Sequence, residues 1–318
     1  MFKWGMLYSL LLFSLFNSSC QKEEDQLPVQ DTPSAENYSS ARLSDLITST
    51  NIDNPATYKG MYVDDVGDII GNTTKENNLL DYAADKGINA FAFYGLKNVI
   101  SSSSNYAKVR SFLSKCTQYG ITTRIYVIVH YPGSVNGNDT TYIKNFNHSC
   151  IYSSQKITGI NMEWEWWNGA TTWTTYKNTL KAFYNWSKRM SPELTNEVYL
   201  GWFKNPVNME LTMANEIVKY CDRIVVHDYR VAPDVGYMEE RMDYLGQAAM
   251  SQGKTKKIIV LFSAEAVFMG PYFSNNSYNT AYQSIVSQYT SSAFPGKSGL
   301  RVYGWQVYNY SYAKVWRP

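Results

Sequence analysis

Eight short runs rich in β-branched and aromatic residues, separated by amphipathic helical stretches, predict an α/β protein folded as a (β/α)8 TIM barrel. The length agrees. A chain of 318 residues exceeds one small domain, and barrels of this type routinely fill about 200 to 250 residues as a single unit.

The runs begin with KGMYVDD at 59, INAFAFY at 88, TTRIYVIV at 122 and ITGINMEW at 157. EVYLGWF at 197, DRIVVHDY at 222, KKIIVLFS at 256 and RVYGWQVY at 301 complete the set. Between them lie KENNLLDYAADKG, YAKVRSFLSKCTQYG, WTTYKNTLKAFYNWSKRM, MANEIVKYC and YNTAYQSIVSQYTSS. Several of these are closed by Gly or preceded by Asn, Ser or Thr, the residues that satisfy helix ends. Eight strands with interposed helices favour a closed barrel over a doubly wound sheet. The chain stops soon after the eighth run, which leaves a short last helix or none. The barrel is expected over residues 57–318, with no second domain.

Residues 20–56 read as a tether, rich in Gln, Ser, Thr, Asp, Asn and Pro, with one short helical pattern in SARLSDLITS. Residues 1–19 combine Lys3 with an apolar run from Leu7 to Phe16, too short for the roughly 20 residues of a membrane span. They end at NSSC, which resembles a bacterial lipoprotein signal peptide cut before Cys20. QKEED, directly after it, resembles the export signal of Bacteroidetes-type surface lipoproteins. The resemblance implies lipidation at Cys20 and an outer-membrane, cell-surface location, with the membrane as a partner through the lipid. Cys116, Cys150 and Cys221 have no CxxC spacing and read as small buried hydrophobes, with one bridge left open.

Formal net charge is +2, with basic and acidic residues spread along the chain, so no footprint for nucleic acid stands out. His130 and His227 fall at predicted strand ends and His148 in a predicted loop. No HxH, HxxxH or HExxH spacing occurs, so no metal or cofactor is expected. GxSxG and GxGxxG are absent, which removes the common esterase and dinucleotide readings. Twenty-seven Tyr and nine Trp would suit stacking on sugar rings.

The fourth run holds the unusual feature. In ITGINMEWEWW, Asn161, Glu163 and Glu165 alternate with Met162, Trp164 and Trp166. Side chains two apart on a strand share a face, so three polar groups form one row while the apolar groups pack on the other side. A charge buried without a partner costs several kcal/mol, and barrel chemistry collects where strands end, so this row is the candidate site.

The row resembles the fourth-strand DGxDxDxE signature of family 18 glycoside hydrolases, the chitinases and endo-β-N-acetylglucosaminidases. Gly159, Trp164, Glu165 and Trp166 match, whereas the three aspartates read Thr158, Asn161 and Glu163. Trp305 in YGWQVY matches the family's last-strand tryptophan, the floor beneath the sugar. Asp228 and Tyr229 resemble its sixth-strand Met-x-Tyr-Asp, exchanged or shifted by one, and the third-strand SxGG motif is absent. The resemblance implies a retaining, substrate-assisted cleavage of β-1,4 bonds at N-acetylglucosamine, with no enzyme nucleophile. Glu165 would be the general acid, Glu163 would hold the acetamide, and Tyr229 would donate to its oxygen. In a second register Asn161 orients the acetamide and Glu163 is the acid. Tyr94, Tyr131, Trp202, Glu265 and Tyr308 fall near strand ends and would contact sugar. The expected partner is a chitooligosaccharide or an N-glycan. A degenerate barrel that binds glycan at the cell surface and cleaves nothing is the alternative.

Overall fold

The computed structural model describes residues 51–129, 138–203 and 208–316. The signal, Cys20, His130 and Tyr131 lie outside the described residues. Eight parallel strands close in chain order into a barrel: β1 (Tyr58–Val63), β2 (Ala90–Phe93), β3 (Thr123–Val129), β4 (Gly159–Glu163), β5 (Thr195–Leu200), β6 (Arg223–Asp228), β7 (Lys256–Ser263) and β8 (Leu300–Tyr308). The protein is a (β/α)8 TIM barrel, as its alternating pattern predicts. Principal helices follow each strand in turn: α1 (Thr73–Asp85), α2 (Tyr106–Gln118), α3 (Asp139–His148), α4 (Trp173–Ser187), α5 (Glu210–Lys219), α6 (Val235–Ser251), α7 (Tyr278–Ser291) and the single turn α8 (Tyr310–Ala313).

Local chemistry sets the helix starts. Asn72, Thr172, Asp234, Ser277 and Asn309 each accept a backbone N–H of the following first turn. The sequence patterns named five of these helices. They omit α3 and α6, and His148 closes α3 instead of lying in a loop. The apolar face of α6 is interrupted by Gly246, where the Gly296 backbone approaches so closely that a Cβ would clash. Residues 51–56, read as tether, pack on β8. Ile52 bridges Val302, and Asp53 accepts from Arg301 at 2.6 Å.

Register decides which side chains fill the barrel. Asn161 lies opposite Val127 and Glu197, Gly60 opposite Ala90 and Gln306, and Ser263 opposite Tyr308. The inner row therefore includes Tyr58, Tyr62, Asn161, Glu163, Glu197, Tyr199, Gln306 and Tyr308. Gly159 starts β4 because a Cβ there would meet Ile125 at 2.6 Å and the Thr195 carbonyl at 2.7 Å. The opposite row, with Ile160 and Met162 fully buried, packs under the helices. Trp166 continues it against Trp173 and Tyr176 of α4, with ring centroids 5.1 and 4.2 Å away. Cys116, Cys150 and Cys221 are buried free thiols. No helix among the described residues is long and apolar enough to cross a membrane.

Candidate active site

The barrel is polar at its floor and tyrosine-lined above. Glu197 pairs with Arg223 at 2.5 Å, Asn161 donates to Glu197 at 3.4 Å, and Tyr58 donates to Gln306 at 2.9 Å. All five are buried, and the Arg223 guanidinium lies over the Tyr58 ring. A buried ion pair of this kind adds little net stability, because the cost of desolvating both charges offsets their attraction.

Glu163 stands above this floor as the last residue of β4. Tyr62 and Tyr308 pack edge to face at 5.6 Å, and Tyr308 lies 6.3 Å from Tyr229. The hydroxyls of Tyr62, Tyr199, Tyr229 and Tyr308 are all raised in pKa, first by their own burial and then by charges that include Glu163. Burial, reinforced by the Glu165 charge, pushes Glu163 up to about 7, against a smaller opposing effect of the Tyr62 hydroxyl. Its Oε2 is buried and accepts no hydrogen bond, and the Tyr62 hydroxyl likewise lacks a well-formed one. Such orphaned polar atoms are costly unless a ligand satisfies them.

Glu165 lies just beyond β4, with φ −94° and ψ 72°, at the start of the Trp166–Asn168 turn. The three-residue polar row therefore holds as a strand only through Glu163. Asn168 donates to Glu165 at 2.5 Å. Burial raises the Glu165 pKa, opposed by the Asn168 amide and then by the Tyr199 hydroxyl. The two carboxylates and Tyr199 thus meet at the C-terminal mouth of the barrel.

The other sequence candidates divide. Tyr229 belongs to this cluster, and its ring lies 4.7 Å from His227. Trp202 stands beside it, 5.8 Å from His227 and 5.3 Å from Tyr237. Tyr94 directly follows β2 with the parity of the inward Ala92. Glu265 accepts from Ser263 at 2.9 Å and adds its charge to those around Tyr229 and Tyr308. Asp228 faces the other way: its Oδ2 accepts the Asp234 N–H at 3.0 Å, and burial pushes its pKa to about 7. Trp305 also points outward. It pairs with Lys59 and Val260 and is fully buried against Tyr278 of α7, so Tyr308 is the β8 aromatic that faces the mouth.

Four participants escaped the sequence reading. Tyr62, Tyr199, Tyr237 and Arg241 have no motif to mark them, although Tyr62 and Tyr199 lie within quoted strands. Arg241 is 1% exposed, donates to the Gly201 and Tyr237 carbonyls, and lies over the Trp202 and Tyr237 rings at 4.6 and 4.7 Å. Among the described residues no cluster of His, Cys, Asp or Glu has the arrangement of a metal site.

No protein-family model matches the chain, and comparison with curated proteins gives no match. Solved structures do resemble it. A protein assigned as a deoxyribose-phosphate aldolase from Toxoplasma gondii ME49 superposes with a TM-score of 0.50 at 10% identity, over 86% of this chain and 94% of its own. The catalytic domain of a GH26 endo-β-1,4-mannanase from Bacillus sp. JAMB-750 gives 0.50 at 15% identity, over 79% and 77%. A chitinase from Ipomoea carnea gives 0.43 at 10% identity, over 81% and 97%. A lyase-type and a hydrolase-type barrel resemble the chain equally well, so the likeness establishes the TIM barrel and leaves the chemistry to the site.

Proposed function

We propose that the protein is a glycoside hydrolase that cleaves β-1,4 linkages at N-acetylglucosamine by a retaining, substrate-assisted mechanism. One observation carries the reading: Glu163 and Glu165 lie together at the barrel mouth, both raised in pKa, among buried tyrosines whose hydroxyls feel the Glu163 charge. Burial raises both carboxyls, and the Glu165 charge adds to the rise of Glu163. In its protonated form Glu165, nearer solvent, gives its proton to the glycosidic oxygen, and Glu163 acts in its ionised form. Glu163 accepts the acetamide N–H, and the acetamide oxygen attacks the anomeric carbon as the leaving group departs. Water then opens the cyclic intermediate, giving its proton back to Glu165. The Glu163 Oε2, buried without a well-formed hydrogen bond, suits a polar substituent entering the barrel.

A glycan-binding barrel without turnover competes with this reading, because Thr158, Asn161 and Glu163 replace the aspartates of the family 18 signature. One assay separates them. The purified protein is incubated with chitooligosaccharides and with a high-mannose glycoprotein, and products are followed by mass spectrometry. Product that disappears in Glu165→Gln supports the hydrolase, whereas binding without product in the wild type supports the glycan-binding barrel.

We also propose that Cys20 tethers the protein to the cell surface. Protease added to intact cells should remove it, and Cys20→Ala should leave the membrane fraction. Full protection of the wild type on intact cells rejects the surface assignment.

A further inference from the structure

His227 is fixed from both sides. Its Nδ1 lies 3.2 Å from the Tyr199 hydroxyl and its Nε2 3.2 Å from the Tyr237 hydroxyl. Its ring lies nearly parallel to Tyr237, at 18° and 5.7 Å, with Tyr229 4.7 Å away. Arg241 braces the assembly from α6 through the Tyr237 carbonyl at 2.8 Å and the Gly201 carbonyl. The Tyr199 hydroxyl acts on Glu165, whose pKa it lowers, and receives the Tyr229 hydroxyl, while Tyr237 is half-buried. We propose that Tyr237, His227 and Tyr199 form a hydrogen-bonded chain from the rim to Glu165, in which neutral His227 exchanges tautomer as Glu165 gains or loses its proton. The inference rests on the reading of Glu165 as the acid.

Donor and acceptor counting carries the argument. A tyrosine hydroxyl has one hydrogen and two lone pairs, and a neutral imidazole has one donor and one acceptor. With Glu165 ionised, Tyr199 donates to it and accepts from Nδ1–H and from the Tyr229 hydroxyl, while Nε2 accepts from Tyr237. For Glu165 to take up a proton along the chain, Tyr237 passes its hydrogen to Nε2, Nδ1 passes its own to Tyr199, and Tyr199 passes its hydrogen to Glu165. Water refills Tyr237. One proton enters and one arrives, every bond has reversed direction, and His227 is neutral at both ends.

That neutrality has a visible cause. Burial and then the Arg241 charge lower the His227 pKa to about 3. Tyr199 faces it from β5, Tyr229 from the end of β6, and Tyr237 and Arg241 from α6, while Arg230, Asp228 and Asp234 lie around Tyr237. Glu165 itself is faced by Glu163, Asn168 and Tyr199. His227 is accordingly a positioning residue, since it reaches the reacting atoms only through Tyr199.

The test is ¹⁵N NMR of the histidine-labelled protein between about pH 8.5 and about pH 4.5, a window spanning the raised carboxyl range. His227→Gln assigns the signal. The protonated ring nitrogen should move from Nδ1 to Nε2 as the carboxyl pair takes up its proton, without imidazolium forming, and the exchange should vanish in Glu165→Gln. In the active enzyme, His227→Leu should lower kcat about tenfold, leave KM within about twofold, and move the basic limb of the pH profile upward, with partial rescue by His227→Gln. One tautomer throughout, or titration to imidazolium above about pH 5, overturns the proposal. An inert wild type whose His227 still exchanges tautomer would retire the hydrolase reading and keep the chain. An active enzyme with a fixed tautomer would do the reverse.

Discussion

Asn161 gives its side-chain amide to Glu197 inside the barrel, one inward position below Glu163. That bond ties it to the buried Glu197–Arg223 pair and away from the mouth, where a sugar would sit. Asn161→Ala should therefore act on the fold. Removing a buried hydrogen-bond partner costs roughly 1–3 kcal/mol, visible as a lower urea midpoint, while the folded variant keeps most of its hydrolysis. Unchanged stability with hydrolysis abolished would instead point to an acetamide-orienting Asn161.

The choice between the carboxylates follows from the same geometry. Glu165→Gln keeps shape and removes the proton donor, so turnover should drop about 100- to 10,000-fold while oligosaccharide binding by calorimetry stays within a few fold. A dead Glu163→Gln beside an active Glu165→Gln would transfer the acid role to Glu163 and revive the Asn161 register.

On β8 the two aromatic candidates should separate cleanly. Trp305→Ala empties a fully buried site against Tyr278 and should cost roughly 3–5 kcal/mol in thermal or urea unfolding. Tyr308→Phe removes only a hydroxyl facing Glu163 and the mouth, so it should fold normally and weaken oligosaccharide binding. Loss of binding in a fully stable Trp305 variant would place that ring under the sugar after all.

Which parts of this were legible depends on what a one-dimensional pattern encodes. Alternation marked all eight strands, and the odd parity of Asn161 and Glu163 correctly separated them from Ile160 and Met162. Parity alone does not say which row faces inward. That needs the register with neighbouring strands, which turns Tyr62 and Tyr199 inward and Trp305 outward, away from the sugar floor that its resemblance implies. Asp228 and Tyr229 are adjacent and diverge for the same reason. Arg241 comes from the middle of α6, and only the folded chain brings it against Trp202 and Tyr237. The sequence places Glu165 next to the end of the fourth strand, where the structure has it. Its conformation was not legible, since the strand ends two residues earlier and the carboxylate reaches Asn168 from a turn.

The last expectation concerns stability against pH. Glu163 is raised from its ordinary 4.5 to about 7 and Asp228 from 3.8 to about 7, both chiefly by burial. Between the unfolded and folded values the native state holds more protons than the unfolded chain, so stability falls as pH rises through that window. The sign is opposite to that of a salt-bridged carboxylate. His227, lowered from 6.5 to about 3, works the other way below about pH 6.5, but it is one group against two, so the melting temperature should still be higher near pH 6.5 than near pH 8, where only the carboxyls titrate. Glu163→Gln and Asp228→Asn remove one titration each, and together they should flatten the profile and raise stability at the alkaline end. Calorimetry at several pH values checks this. A wild type that grows more stable from about pH 6.5 to about pH 8 would mean that these carboxylates are ionised with partners in the folded barrel, and the raised pKa assigned to Glu163 would go with them.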